Sequence, residues 1–383
     1  MTIRIDYYIE VVRPYRLAAH RATLAQGLAK RTARGPAGRR SVGMSRPLPN
    51  LRTLALFAVV VLTMQLGYAT SVHAQVVNSG GTADGGHSAS IGQIAFDRVV
   101  DTTTGNTAIY TVNSNGQRTR ELFANPNGAQ SPHWSPDGTQ VSIFCCDDGM
   151  AAHIVTPETG AFRELAPTDP TLEVHCGWWS PDGKRLACES FGLTDPSRTG
   201  VWTIRASDGS GLRQITSDPG GDDIPGDFSP DGKRLVFARS DANGQVGIFV
   251  ADRPGAAPKR ITPAQLPVDG SFGGSWSPKG NKILFVARTD ADHRRTIWLV
   301  HADGSGLHRL HITPACGGPL SDPTSRGCVA PSWSPTGTRI AFARFDALTS
   351  QSHIYTSDAN GHDITQITYG GLGDGNPDWD PHP

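Results

Sequence analysis

Runs of helix-forming residues are scarce after residue 75, and 44 glycines and 28 prolines interrupt a chain of 383 residues. That scarcity argues against a helical protein and favours many short strands joined by turns. Basic charge is also missing from the body of the chain. Residues 1–74 hold 11 Lys+Arg against 2 Asp+Glu, which leaves 24 basic and 33 acidic residues for 75–383, although the whole chain is formally neutral. So acidic a body lacks the basic face that nucleic acid requires. No CxxC and no histidine pair at zinc spacing occurs, so no metal ligand set is read from the sequence. The nearest approach to a serine-hydrolase elbow, GHSAS at Gly86–Ser90, ends in Ser90 where a glycine is needed, with no strand before it and no helix after. No catalytic constellation emerges, and the expectation is a non-enzymatic protein.

What is present begins with the amino-terminal third. Residues 54–70, LALFAVVVLTMQLGYAT, form an apolar run preceded by Arg46 and Arg52 and followed by VHA at Val72–Ala74. This reads as a secretory signal peptide over 44–74, cleaved after Ala74, rather than a retained membrane span. Residues 1–43 are then a basic extension or a mis-assigned start, with Met44 as the alternative initiator. Residues 75–90 are Gly- and Ser-rich and read as a flexible linker. A periplasmic or secreted protein follows, with no stable membrane span after cleavage.

From 91 to 383 one motif keeps returning: WSPDG at Trp134–Gly138 and Trp179–Gly183, FSPDG at Phe228–Gly232, WSPKG at Trp276–Gly280 and WSPTG at Trp333–Gly337. A truncated copy, Trp379–Pro381, closes the chain. Recurrence at intervals of about fifty residues marks a repeat architecture. Four of the five units continue with a basic residue, and each goes on with a short run such as Leu235–Phe237, a second run such as Ile248–Val250, and a more polar segment. Apolar residues at both parities imply strands buried on both faces. Ser-Pro-Asp-Gly suits a type I turn, and Asp-Gly or Asn-Gly at Asp208, Asp303, Asn115 and Asn360 suits tight hairpins. The unit is therefore a four-stranded antiparallel meander, and six of them in a ring make an all-β, six-bladed β-propeller. The first unit lacks its own WSPDG strand, so the orphan at the carboxyl terminus is expected to pair into the first blade and close the ring.

At these residues the chain resembles the TolB-type, WD40-like β-propeller repeat of periplasmic and secreted bacterial proteins. The resemblance rests on PxWSPDG, the following IAF and IYxxxADGSGxxxLT, and covers about 91–383. It implies an exported propeller with a protein partner docked at one mouth, as a peptidoglycan-associated lipoprotein docks on the TolB propeller. The α/β domain that precedes the propeller in TolB has no counterpart here. Propellers of this type precede an α/β-hydrolase domain in the prolyl oligopeptidase relatives, and no such domain is expected here.

The fixed tryptophans are expected to pack between blades. Function is sought instead where the copies differ: Glu173, His175, Asp222, Asp223, Asp269 and Asp374 before the inner strands, and His133, Trp178, Asp227 and Asp378 beside the Trp positions. Acidic residues around a channel mouth could hold a basic segment or a divalent cation; otherwise no cofactor is expected. Among six cysteines, Cys316 with Cys328 and Cys176 with Cys188 are the disulfide candidates, while Cys145 and Cys146 are either free or paired elsewhere. The favoured function is a monomeric scaffold that binds a protein or cell-envelope partner at one mouth of the ring. The alternative is a propeller lyase or hydrolase acting on a saccharide or envelope polymer.

Overall fold

The computed structural model describes residues 92–146, 149–252, 254–288, 295–312, 316, 327–346 and 351–382. The basic extension, the signal peptide and the linker read from the sequence lie outside the described residues. The first blade contains β1 (Gln93–Asp101), β2 (Asn106–Asn113) and β3 (Arg120–Ala124). The second holds β4 (Ala129–Trp134), β5 (Val141–Cys145), β6 (Ala152–Thr156) and β7 (Ala161–Leu165). The third holds β8 (Leu172–Trp179), β9 (Arg185–Gly192), β10 (Gly200–Arg205) and β11 (Arg213–Gln214), and the fourth β12 (Asp222–Phe228), β13 (Leu235–Ser240), β14 (Val246–Ala251) and β15 (Lys259–Arg260). The fifth holds β16 (Ser275–Trp276), β17 (Lys282–Arg288), β18 (Arg295–His301) and β19 (His308–Arg309). The sixth holds β20 (Cys328–Trp333), β21 (Arg339–Asp346), β22 (Gln351–Asp358) and β23 (Thr365–Gln366), and β24 (Asp374–Trp379) returns to the first blade.

Six four-stranded antiparallel sheets result, and β24 hydrogen-bonds to β1 with Ile94 opposite Trp379 and Arg98 opposite Asp374. The orphan strand thus closes the ring. The six inner strands touch in an unbroken circuit, β24 to β4, β8, β12, β16, β20 and back to β24. Both faces of the second strands are covered, as their sequence demands: Leu235, Val236 and Phe237 in β13 are each no more than 2% exposed. The terminal tryptophan of each inner strand, or Phe228 in its place, packs onto the preceding blade. Trp134 lies against Ala95 and Ile109, Trp276 against Val236 and Ile248, and Trp333 against Leu284 and Ile297.

Strand direction fixes which loops share a mouth. In blades two to six the inner strand ends at the Ser-Pro turn, and in the first blade β24 ends at Asp380-Pro381, so these ends and the third hairpin turns emerge at one mouth. The loops joining second to third strands, and the connectors between blades, emerge at the other. At the turn mouth each Ser-Pro-X-Gly copy adopts one geometry. The Gly N–H donates to the Ser carbonyl at 2.7–2.8 Å in all five copies, and the glycines sit at φ between 63° and 74°, where a side chain would be strained. The Ser hydroxyl also accepts the backbone N–H five residues on, at 2.9 Å from Gln140 and 3.0 Å from Arg234.

Cys176 and Cys188 stand directly opposite on β8 and β9 and are bonded, and Cys316 is bonded to Cys328. Cys145 and Cys146 correct the sequence reading, for they are neither free nor paired elsewhere but bonded to each other. They can meet because β5 ends at Cys145 and Cys146 turns out of it at φ 74°.

Candidate functional site

The ten residues singled out from the sequence fall into two layers at opposite ends of the inner strands, rather than around one mouth. Near the loop mouth lie Glu173, His175, Asp222, Asp223, Asp269 and Asp374. Near the turn mouth lie His133, Trp178, Asp227 and Asp378. The two layers have different chemistry.

In the loop-side layer three carboxylates, Asp374, Asp223 and Asp269, are held by arginines. Asp374 is buried and takes Nε and Nη2 of Arg98 at 2.6 and 3.0 Å. Asp223 takes the same two atoms of Arg239, both at 2.6 Å, together with the Thr216 hydroxyl at 2.5 Å. Asp269 accepts from Arg295 Nε at 2.7 Å, from Arg288 Nε at 3.4 Å and from the Ser271 hydroxyl. Burial pushes the Asp223 carboxyl up, and the Arg239 pair opposes it. At Asp269 burial is again the largest influence, yet Arg295, Ser271 and Arg288 outweigh it and hold the carboxyl low. Glu173 and His175 form their own contact, Oε1 to Nε2, at 2.9 Å, and Asp222 is buried at the start of β12 opposite Ser240. Three of the six, Asp374, Asp223 and Asp269, are thus buried carboxylates in arginine ion pairs, while Glu173 is partly exposed.

The arginines were missed in the sequence, although they leave a signal there. Phe-Asp-Arg at 96–98, Phe-Ala-Arg at 237–239 and 342–344, and Val-Ala-Arg at 286–288 place an Arg two residues after the central large apolar residue in four of six second strands. The guanidinium then lies over ring faces, Arg98 over Phe96 and Tyr110 at 5.2 and 5.1 Å and Arg239 over Phe237 and Phe249 at 5.4 and 5.6 Å.

The turn-side layer is built by a kink. Ser131, Ala330 and Asn376, each preceding a proline, have φ of 51°, 50° and 46°, and each of their strands slips register there. Such a bulge re-aims the residues that follow. Asp378 consequently bridges both neighbouring blades, accepting the Trp134 N–H at 2.8 Å and the Ser332 hydroxyl at 3.1 Å. Asp227 does the same toward the fifth blade, with the Trp276 N–H and the Ser275 hydroxyl both at 2.9 Å. Blades one and four are opposite in a ring of six, which sets the two carboxylates on opposite sides of it. Burial raises Asp378 to about 7, with the charge of Asp227 adding to it, and burial raises Asp227 to about 6. His133 is pushed down to about 4 by burial and packs against Trp178, ring centroids 5.1 Å apart, while Trp178 meets Phe144 edge-on at 5.5 Å. Among the described residues no group of three or more His, Cys, Asp or Glu side chains is placed to hold a metal ion.

The fold and this axial wall define a closed six-bladed β-propeller whose channel is lined by inter-blade hydrogen bonds. No protein-family model matches the chain. It is 31% identical over 225 residues to an uncharacterized protein of Agrobacterium fabrum, covering 55% of this chain and 68% of that protein. It is 31% identical over 121 residues to the Tol-Pal system protein TolB of Anaeromyxobacter dehalogenans, a match spanning 30% of this chain and only 26% of that protein's length. The crystal structure of TolB from Acinetobacter baumannii superimposes with a TM-score of 0.59 at 19% identity, over 76% of this chain and 67% of that one. The chain belongs to the TolB-like six-bladed β-propeller family.

Proposed function

We propose that the protein is an exported, monomeric, non-enzymatic scaffold that holds a protein of the cell envelope at its loop-bearing mouth. One observation carries this reading. The three exposed large apolar side chains among the described residues, Val100 at 46%, Leu193 at 41% and Tyr369 at 67%, all belong to loops or strand ends of that one mouth. Isolated exposed apolar residues need no explanation, but their confinement to one face of a ring is the pattern of a contact surface. The arginine-locked carboxylates beneath give that face a stiff floor, which supports binding rather than proton transfer. Three disulfides suit an oxidising compartment. The named relative TolB is a Tol-Pal system protein, in keeping with a partner in the envelope.

Cross-linking followed by pull-down of the exported protein tests the proposal. An envelope protein should be recovered with the native chain and lost with the triple variant Val100→Asp, Leu193→Asp, Tyr369→Asp, whose thermal melt should be unchanged. Equal recovery with the variant would sink the assignment to this mouth. Cleavage of an envelope polysaccharide by the purified native protein would replace it with an enzymatic reading.

A further inference from the structure

The turn mouth carries a feature of the opposite character. Between the third and fourth blades a cleft of about 490 Å³ opens among the Ser-Pro turns, a volume in the range of small-ligand sites. Its walls are partly apolar, with Pro181, Ile215, Phe228, Pro230, Leu235 and Ala251. Four cations line it, Arg185, Arg213, Lys233 and Arg234, against two carboxylates, Asp182 and Asp231. A local positive excess is unexpected in a body whose residues 75–383 carry more acid than base.

No ion pair joins the two carboxylates to those cations among the described residues, though Asp182 acts electrostatically on Arg185 and Asp231 on Lys233 and Arg234. Each is turned into its own hairpin, Asp182 taking the Ser180 hydroxyl at 2.7 Å and Asp231 the Ser229 hydroxyl at 2.6 Å. The arginines have other contacts or none. Arg185 donates to the Thr203 hydroxyl and carbonyl and to the Gly211 carbonyl at 2.6–3.0 Å, all neutral acceptors. Arg234 rests over the ring of Trp276 in the fifth blade at 4.9 Å, and Arg213 is exposed; neither forms an ion pair among the described residues. Burial lowers the Arg185 guanidinium, the neighbouring charges of Arg213 and Arg205 add to the effect, and Asp182 opposes it less strongly. Like charges gathered at an apolar wall are costly unless something anionic joins them, and planar guanidiniums suit oxyanions because they can donate two parallel hydrogen bonds.

We infer that this inter-blade cleft binds a small ligand carrying more than one oxyanion group, carboxylate or phosphate, with exposed Arg213 as its mobile fork, ring-stacked Arg234 as a second cation and Arg185 as a fixed positive floor. The site lies at the mouth opposite the proposed partner surface and stands independently of it.

Calorimetric titration of the purified protein at low ionic strength, with pyrophosphate and separately with citrate, is the test. Saturable binding of at least one probe is expected, and the probe that binds assigns the oxyanion as phosphate or carboxylate. The double variant Arg213→Ala, Arg234→Ala should weaken it about tenfold or more, roughly the loss of one charged hydrogen-bonded fork. Arg309→Ala, an exposed arginine of β19 away from the cleft, should leave it unchanged. If the double variant fails to fold, Arg213→Ala alone serves, since that side chain is exposed and unpaired. Saturation by neither probe, unchanged affinity in the variant, or equal weakening by Arg309→Ala would overturn the inference.

Discussion

Asp378 shows how a single side chain carries both position and chemistry. It hydrogen-bonds to blades on either side of its own, so it stitches the inner ring where the chain closes. Because burial raises it from 3.8 to about 7, the folded protein keeps a proton that the unfolded chain has released. Stability from this group is therefore complete below about pH 4 and is lost as pH rises toward 7; Asp227, raised to about 6, adds the same sign over a shorter window. His133 works the other way. Pushed down to about 4, it stays neutral in the fold while the unfolded histidine is still protonated, so its contribution grows with pH up to about 6.5. A comparison of Asp378→Asn with the native chain cancels the histidine. Asparagine carries no charge, its oxygen can still accept the Trp134 N–H, and its NH2 can donate to the Ser332 hydroxyl oxygen in place of the second bond, so the variant's stability relative to the native chain should increase between pH 4 and 8, by on the order of a few kcal/mol at most. Urea unfolding across that range measures it, and a pH-independent difference would show that the carboxyl titrates normally. The position of Asp378 beside Trp379 was legible in the sequence, but its role was not. Nothing local announces that a bulge at Asn376 turns it toward two other blades.

At the scale of the element, the Ser-Pro-X-Gly turn is more than the hairpin its composition implies. Each glycine lies against the proline of the preceding blade's turn: a Cβ on Gly183 would stand 3.8 Å from Pro136, one on Gly232 3.7 Å from Pro181, one on Gly280 3.5 Å from Pro230, and one on Gly337 3.4 Å from Pro278. The turns form a collar round one mouth, and at the seam Gly138 meets Asp380 and His382 instead of a proline. Turn type follows from four adjacent residues, whereas the collar depends on residues some fifty positions apart, which is why only the first could be read from the sequence. The acidic ring failed to appear as an open ring for a related reason, since its arginine partners lie on the neighbouring strand, sixteen residues away for Asp223 and 276 for Asp374. Within the turn the buried Ser hydroxyl is the joint. Ser229 is wholly buried, donates to Asp231 at 2.6 Å and accepts from Arg234 N–H at 3.0 Å. Ser277, in the copy where Lys279 replaces the aspartate, keeps the second bond but has only a 3.4 Å contact with Asn281 in place of the first. Ser229→Ala should therefore cost about 1–3 kcal/mol and Ser277→Ala measurably less. Chemical unfolding of the two variants decides it, with equal losses counting against the Asp231 bond.

For the whole molecule the decisive fact is that the ring closes on a strand from the far end of the chain. Without β24 the first blade would have three strands, β1 would present an open edge, and the inner circuit would break at the contacts with both β4 and β20. Trp379 would leave the core it shares with Ile94, Phe96, Ala341 and Ile354, and Arg98 would lose the carboxylate of Asp374. Removing a buried Trp side chain alone costs about 3–5 kcal/mol, and an arginine left buried without its partner costs about as much again. Those losses rival the total stability of a typical domain, about 5–15 kcal/mol. The sequence disclosed this closure because the truncated repeat and the incomplete first one are complementary, and covering both faces of every blade requires them to meet. Deleting 374–383 should therefore abolish the cooperative thermal transition of the entire propeller rather than loosen one blade. A synthetic peptide spanning 372–383, added in trans, should restore that transition in proportion to its concentration, since binding to the folded state alone stabilises by mass action. A truncated chain that melts cooperatively near the native temperature, followed by calorimetry with and without the peptide, would show that five complete blades hold themselves together and that the returning strand is an accessory.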